Sequence, residues 1–89
     1  MNLTKQRFLD GIPGPKRAGA LAELRKRGAA VRDEVGRRLA NLASSDDNEP
    51  RTDDVVVEAA LRVVTITRES RPDLTPVQAL DVVFAALAE

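Results

Sequence analysis

Side-chain catalysis needs nucleophiles, bases or metal ligands, and this sequence is poor in all three. Among its 89 residues there is no cysteine and no histidine. That removes thiolate nucleophiles, disulfides, the usual structural zinc sites and the side chain most used for proton transfer near neutral pH. The adjacent hydroxyls of Ser44 and Ser45 have no base beside them in the sequence. Glu58 and Glu69 fall on one helical strip with Arg62, which makes them ion-pair partners and not an acid/base dyad. The stretch Gly11 to Gly14 followed by Lys16 has neither the glycine spacing of a dinucleotide loop nor the Gly-Lys-Ser/Thr ending of a P-loop, and reads as a turn. An EF-hand frame begun at Asp47 puts Glu49 and Glu58 at ligand positions. It fails because Arg51 occupies another ligand position and Thr52 the one that needs glycine. The expectation is a protein that is not an enzyme, with no cofactor, no metal and no small-molecule substrate.

The chemistry that remains is clustered charge. The chain carries 14 basic and 14 acidic residues and is neutral overall, but the signs are segregated. Residues 1–40 hold ten Lys or Arg against four acidic residues, and residues 41–89 hold four against ten. Lys16, Arg17, Arg25, Lys26, Arg27, Arg32, Arg37 and Arg38 are the candidate contacts for nucleic acid or an acidic partner. The competing reading, slightly preferred, is that the two halves neutralise each other within the fold or across a dimer. Residues such as Glu23 and Glu34 lie among the bases and dilute their field. Only Phe8 and Phe84 are aromatic, so stacking on single-stranded bases has little support.

The element that must position these charges spans residues 16–43. At roughly 100° per residue, Leu21, Leu24, Val31, Val35, Leu39 and Leu42 fall in a stripe about 80° wide, which predicts one amphipathic helix. Glu23 with Arg27, Asp33 with Arg37 and Glu34 with Arg38 have the i,i+4 spacing of surface ion pairs. Gly28 and Gly36 weaken the helix, and a break at Gly28 would loosely suggest a helix-turn-helix with Arg32, Arg37 and Arg38 on phosphates. The stripe crosses Gly28 without a change of phase, which favours a continuous helix.

Asn2 can cap a short first helix over residues 3–10, ended by Gly11 in a left-handed conformation. Ile12-Pro13-Gly14-Pro15 then forms a stiff non-helical elbow, and residues 1–15 are either docked or a mobile arm. An acidic interhelix loop covers residues 44–52. Thr52 is the expected cap of a third helix, with Asp53 and Asp54 in its first turn. Its polar strip, Glu58, Arg62, Thr65 and Glu69, leaves about two thirds of the circumference apolar, so it should be the central helix. The β-branched run Val63 to Thr67 would also suit a strand, but no pairing strand is evident. Thr75-Pro76-Val77-Gln78 is a capping box with proline at the first helical position, after a possible hydrophobic staple at Leu74. It opens a last helix expected to bury Val77, Leu80, Val83, Phe84 and Leu87 and to leave Val82 outside.

The reading is therefore a single all-α domain, a small helical bundle of three main helices plus a short N-terminal helix. Its expected core is Leu21, Leu24, Val31, Val35, Leu39, Val56, Ala60, Val63, Leu80, Phe84 and Leu87. A chain this short buries only about 60 to 65% of its unfolded surface, so self-association is a natural route to stability. No apolar run is long enough to cross a membrane and the start of the sequence is polar, which gives a cytoplasmic protein as the default. A small helical interaction or regulatory protein is the leading functional expectation, working through a protein partner or self-association. Nucleic-acid binding through the basic helix is the alternative, and a membrane-surface helix is disfavoured by the lack of tryptophan and of a bulky apolar face.

Overall fold

The computed structural model describes residues 3–43 and 54–89, and in residues 42 and 43 the backbone alone. Four helices follow one another, α1 Leu3–Asp10, α2 Gly14–Ala43, α3 Val55–Ser70 and α4 Pro76–Leu87. They form a small all-α bundle in which α3 touches each of the other three.

α2 runs unbroken through Gly28 and Gly36 and starts two residues earlier than the sequence suggests. Gly14 and Pro15 are already helical, because a first turn has no intrahelical use for the amide hydrogen that proline lacks. The Pro13 carbonyl accepts from the Lys16 amide at 2.9 Å and joins elbow to helix. Gly11 is not left-handed. Its amide donates to the carbonyls of Arg7 and Phe8, a three-centre arrangement common where a helix tightens at its end. A Cβ at Gly11 would stand 3.5 Å from that of Ala59, an ordinary van der Waals contact, which places the end of α1 against α3.

The N-cap of α3 is Asp54 and not Thr52, which lies outside the described residues together with Asn2, Asp53 and the 44–52 loop. The Asp54 carboxylate accepts from the amides of Val56 at 3.1 Å and Val57 at 3.4 Å. The whole Val63–Thr67 run is helical. The hydroxyls of Thr65 and Thr67 donate to the carbonyls of Leu61 and Val63, both at 2.9 Å, which satisfies them inside the helix. α4 opens as the sequence predicts: the Thr75 amide donates to Gln78 Oε1 at 3.0 Å and the Gln78 amide to Thr75 Oγ1 at 3.2 Å.

The core is aliphatic. Leu24, Val31, Val35, Leu39, Val56, Ala60, Val63, Leu80 and Leu87 are buried as expected, while Leu21 and Phe84 are only partly covered. Phe8 and Ile12 are fully enclosed, so α1 is seated on α3 and α4. Ala20, Val57, Ala59, Val64, Ala79 and Val83 complete the core. The small residues Ala20, Ala59, Ala60 and Ala79 allow the helices to approach closely. Val77 departs from expectation: it points outward and is 62% exposed.

Candidate interaction surface

The eight basic residues singled out in the sequence are dispersed around α2, and most find acceptors inside the chain. Arg17 Nε donates at 2.9 Å to the carbonyls of both Leu9 and Ile12. It thereby satisfies the open end of α1, where the helix dipole also favours a cation. Arg25 donates to the Glu89 carbonyl at 3.3 Å, and Lys5 of α1 donates to the same oxygen. Arg27 meets Asp54 at 2.5 Å and Arg32 pairs with Asp81 of α4. Arg37 and Arg38 share Glu34, the first at i,i+3 and the second at i,i+4 with 3.2 Å. Of the three pairs expected from i,i+4 spacing, only Glu34 with Arg38 forms. Arg27 and Arg37 choose other carboxylates. Lys16 and Lys26 are exposed and make no ion pair among the described residues.

The pairs with Asp54 and Asp81 join the two oppositely charged halves at two points. α2 lies against α3 and against α4, so its basic flanks face acidic residues from the other half of the chain. At Asp54 the effect reaches the proton affinity of the carboxyl. A hydrogen bond from Arg27 holds it below the usual carboxylate range against the opposing cost of burial, with further help from the Val57 amide. The Arg27 guanidinium is correspondingly raised, first by its hydrogen bond to Asp54.

Apart from these charges, α4 keeps apolar side chains outside. Of the twelve residues of α4 only Gln78 and Asp81 are polar. Ala79, Leu80, Val83 and Leu87 take the inner face, so the outer face is left with Val77, Val82, Ala85 and Ala88 around those two. Val82 is 41% exposed, as the sequence suggests. Where α4 meets α2, Gly28 leaves a notch: a Cβ there would meet nothing within 4 Å. The notch opens an apolar groove of about 210 Å³ lined by Leu24, Arg25, Gly28, Phe84, Leu87 and Ala88. A second groove, about 320 Å³, lies between the starts of α2 and α3, with Gly19, Ala20, Val55 and Val56 inside and Lys16 and Glu23 on its lip. Sequence reasoning missed both, since each arises where a glycine on one helix faces a different helix.

Among the described residues no three carboxylates gather in a way that could hold a metal ion, and no helix is long and apolar enough to cross a membrane. The chain matches no protein-family model, no curated protein and no solved structure.

Proposed function

We propose that this chain is a non-enzymatic interaction protein that works by presenting the outer face of α4 to another polypeptide, either a partner protein or a copy of itself. The observation that carries the reading is the polarity of α4. A helix that is apolar on nearly all sides belongs in an interior, yet here one side faces solvent with Val77 and Val82 exposed. Covering those side chains with a partner removes apolar surface from water at about 25 cal/mol per Å². A photo-crosslinking side chain placed at Ala85 in cells, with Asp33 on the solvated side of α2 as the control position, tests this. A discrete covalent adduct from position 85 and none from 33 is the expected result. Equal background from both would overturn the reading.

Nucleic-acid binding stays as the second reading because Lys16 and Lys26 remain uncommitted. Its support is thinner, since the other six candidate cations already have acceptors within the chain.

A further inference from the structure

We propose that the groove between the starts of α2 and α3 is a docking site for an amphipathic helix of another protein, one that carries an acid and a base two turns apart with an apolar side chain between them. This surface is separate from the outer face of α4, and neither reading depends on the other.

The first argument is charge that the fold leaves unused. Lys16 and Glu23 stand at opposite ends of the α2 wall of the groove. Both are exposed, and neither makes an ion pair among the described residues. Glu23 has a base at the i,i+4 position, but Arg27 turns to Asp54 and acts on Glu23 only through its more distant charge. The groove therefore offers one free cation and one free anion. A partner carrying a single sign of charge here would meet one of them as its like, so complementarity requires both signs in order.

The second argument is spacing and shape. Seven residues at about 1.5 Å each separate the two charges by about 10 Å along α2. A partner helix returns to the same face after seven residues, so an acid and a base at i and i+7 reproduce that separation. An extended strand returns to one face every second residue, at about 6.6 or 13 Å, and misses it. The lining comes from α2 and α3 alone, with Ala20, Val55 and Val56 as an apolar floor. A seam between two packed helices is the surface on which a third helix sets its ridges.

The third argument is Gly19, which lines the groove between the two charges. A Cβ there would meet nothing within 4 Å, so packing within the chain does not call for glycine, and glycine is a poor helix former. What the missing side chain leaves is part of a space of about 320 Å³, open to an apolar anchor from the partner.

Helical probe peptides test the site on the full chain. A stapled, alanine-based helix with Glu, Leu and Lys at i, i+3 and i+7 should shift the backbone amide resonances of Gly19, Ala20 and Val56 in an NMR titration. Replacing the probe's Leu by Ala should weaken binding by about tenfold or more. Gly19→Leu in the protein, which puts a side chain in the anchor's place, should do the same. Lys16→Glu should weaken the original probe by about fivefold and favour one with Lys at both ends, while Glu23→Lys should favour one with Glu at both ends. Lys16, Gly19 and Glu23 are all exposed, and circular dichroism melts check that each variant is folded. No shift at these amides with millimolar probe, undiminished binding to Gly19→Leu, or charge preferences that ignore both reversals would overturn the proposal. Equally tight binding of a proline-interrupted, non-helical probe of the same composition would overturn the helical occupant.

Discussion

Asp54 does two jobs with one carboxylate, which is why sequence reasoning chose the wrong cap. Thr52, Asp53 and Asp54 are all competent N-cap types, so local propensity does not choose among them. In the structure Arg27, twenty-seven positions upstream in the sequence, selects Asp54 by offering it a charged hydrogen bond. Asp54→Ala should cost about 0.5–2 kcal/mol of stability through the lost cap, read as a fall in Tm. Because the folded-state pKa of Asp54 is lowered, its ionisation stabilises the fold above the ordinary carboxyl pKa of about 3.9. That contribution disappears as the pH falls below this value and through the lower folded one. Asp54→Asn keeps a capping oxygen but not the charge, so its melting curve should lose less between about pH 5 and pH 2 than the wild type does. Identical acid profiles for the two would show that the Asp54 charge adds no stability at this site. A second residue carries an opposite imbalance. Arg68 Nε is the buried side-chain polar atom without a hydrogen-bond partner among the described residues. An unmet buried donor costs about 1–3 kcal/mol. Arg68→Met, which keeps the aliphatic stem, should hold or raise the Tm, and a clear drop would assign the guanidinium a stabilising role.

Elements were legible wherever a strong local signal had no competitor. The stripe of α2 and the capping box of α4 each specify their helix, and both are observed. Faces were less legible in α4 because almost every position is apolar, so periodicity could not say that Ala79 would be buried and Val77 exposed. The buried position suits a small residue: α4 is packed against three helices at once. Gly28 offers a test of α2 as a continuous rod. It sits mid-helix with open space where a Cβ would go, so Gly28→Ala should gain up to about 1 kcal/mol from helix propensity. That corresponds to roughly 4–8 °C in Tm for a domain of this size. A fall would mean the helix needs glycine flexibility there. For α3 the expectation is opposite in sign. Val63 is buried among aliphatic neighbours, and Val63→Asp places an unpaired charge where no partner can reach it. It should unfold the protein, visible as loss of the helical circular dichroism signal, and an unchanged melt would contradict the placement of α3.

On the scale of the whole molecule, the candidate site was legible in composition but not in geometry. The sequence shows that the first half is basic and the second acidic. It does not show which charges meet, because Arg27 with Asp54 and Arg32 with Asp81 are pairs between helices, and helical spacing speaks only of neighbours on one helix. Once those pairs form, little of the basic stretch is left to act at a distance. This bears directly on nucleic-acid binding. Each phosphate neutralised by a cation contributes about −0.9 to the slope of log affinity against log salt concentration on duplex DNA. If only the uncommitted Lys16 and Lys26 engage, the slope should be no steeper than about −2. Fluorescence anisotropy with mixed-sequence duplex at several salt concentrations measures it. A slope of about −5 or beyond would mean that the arginines leave Asp54, Asp81 and Glu34 for phosphates. The bundle's electrostatics would then be rebuilt on binding, and Asp54→Asn, which frees Arg27, should tighten the complex. A shallow slope or no binding at low salt leaves Arg27 and Arg32 as the side chains that tie α2 to α3 and α4 through Asp54 and Asp81.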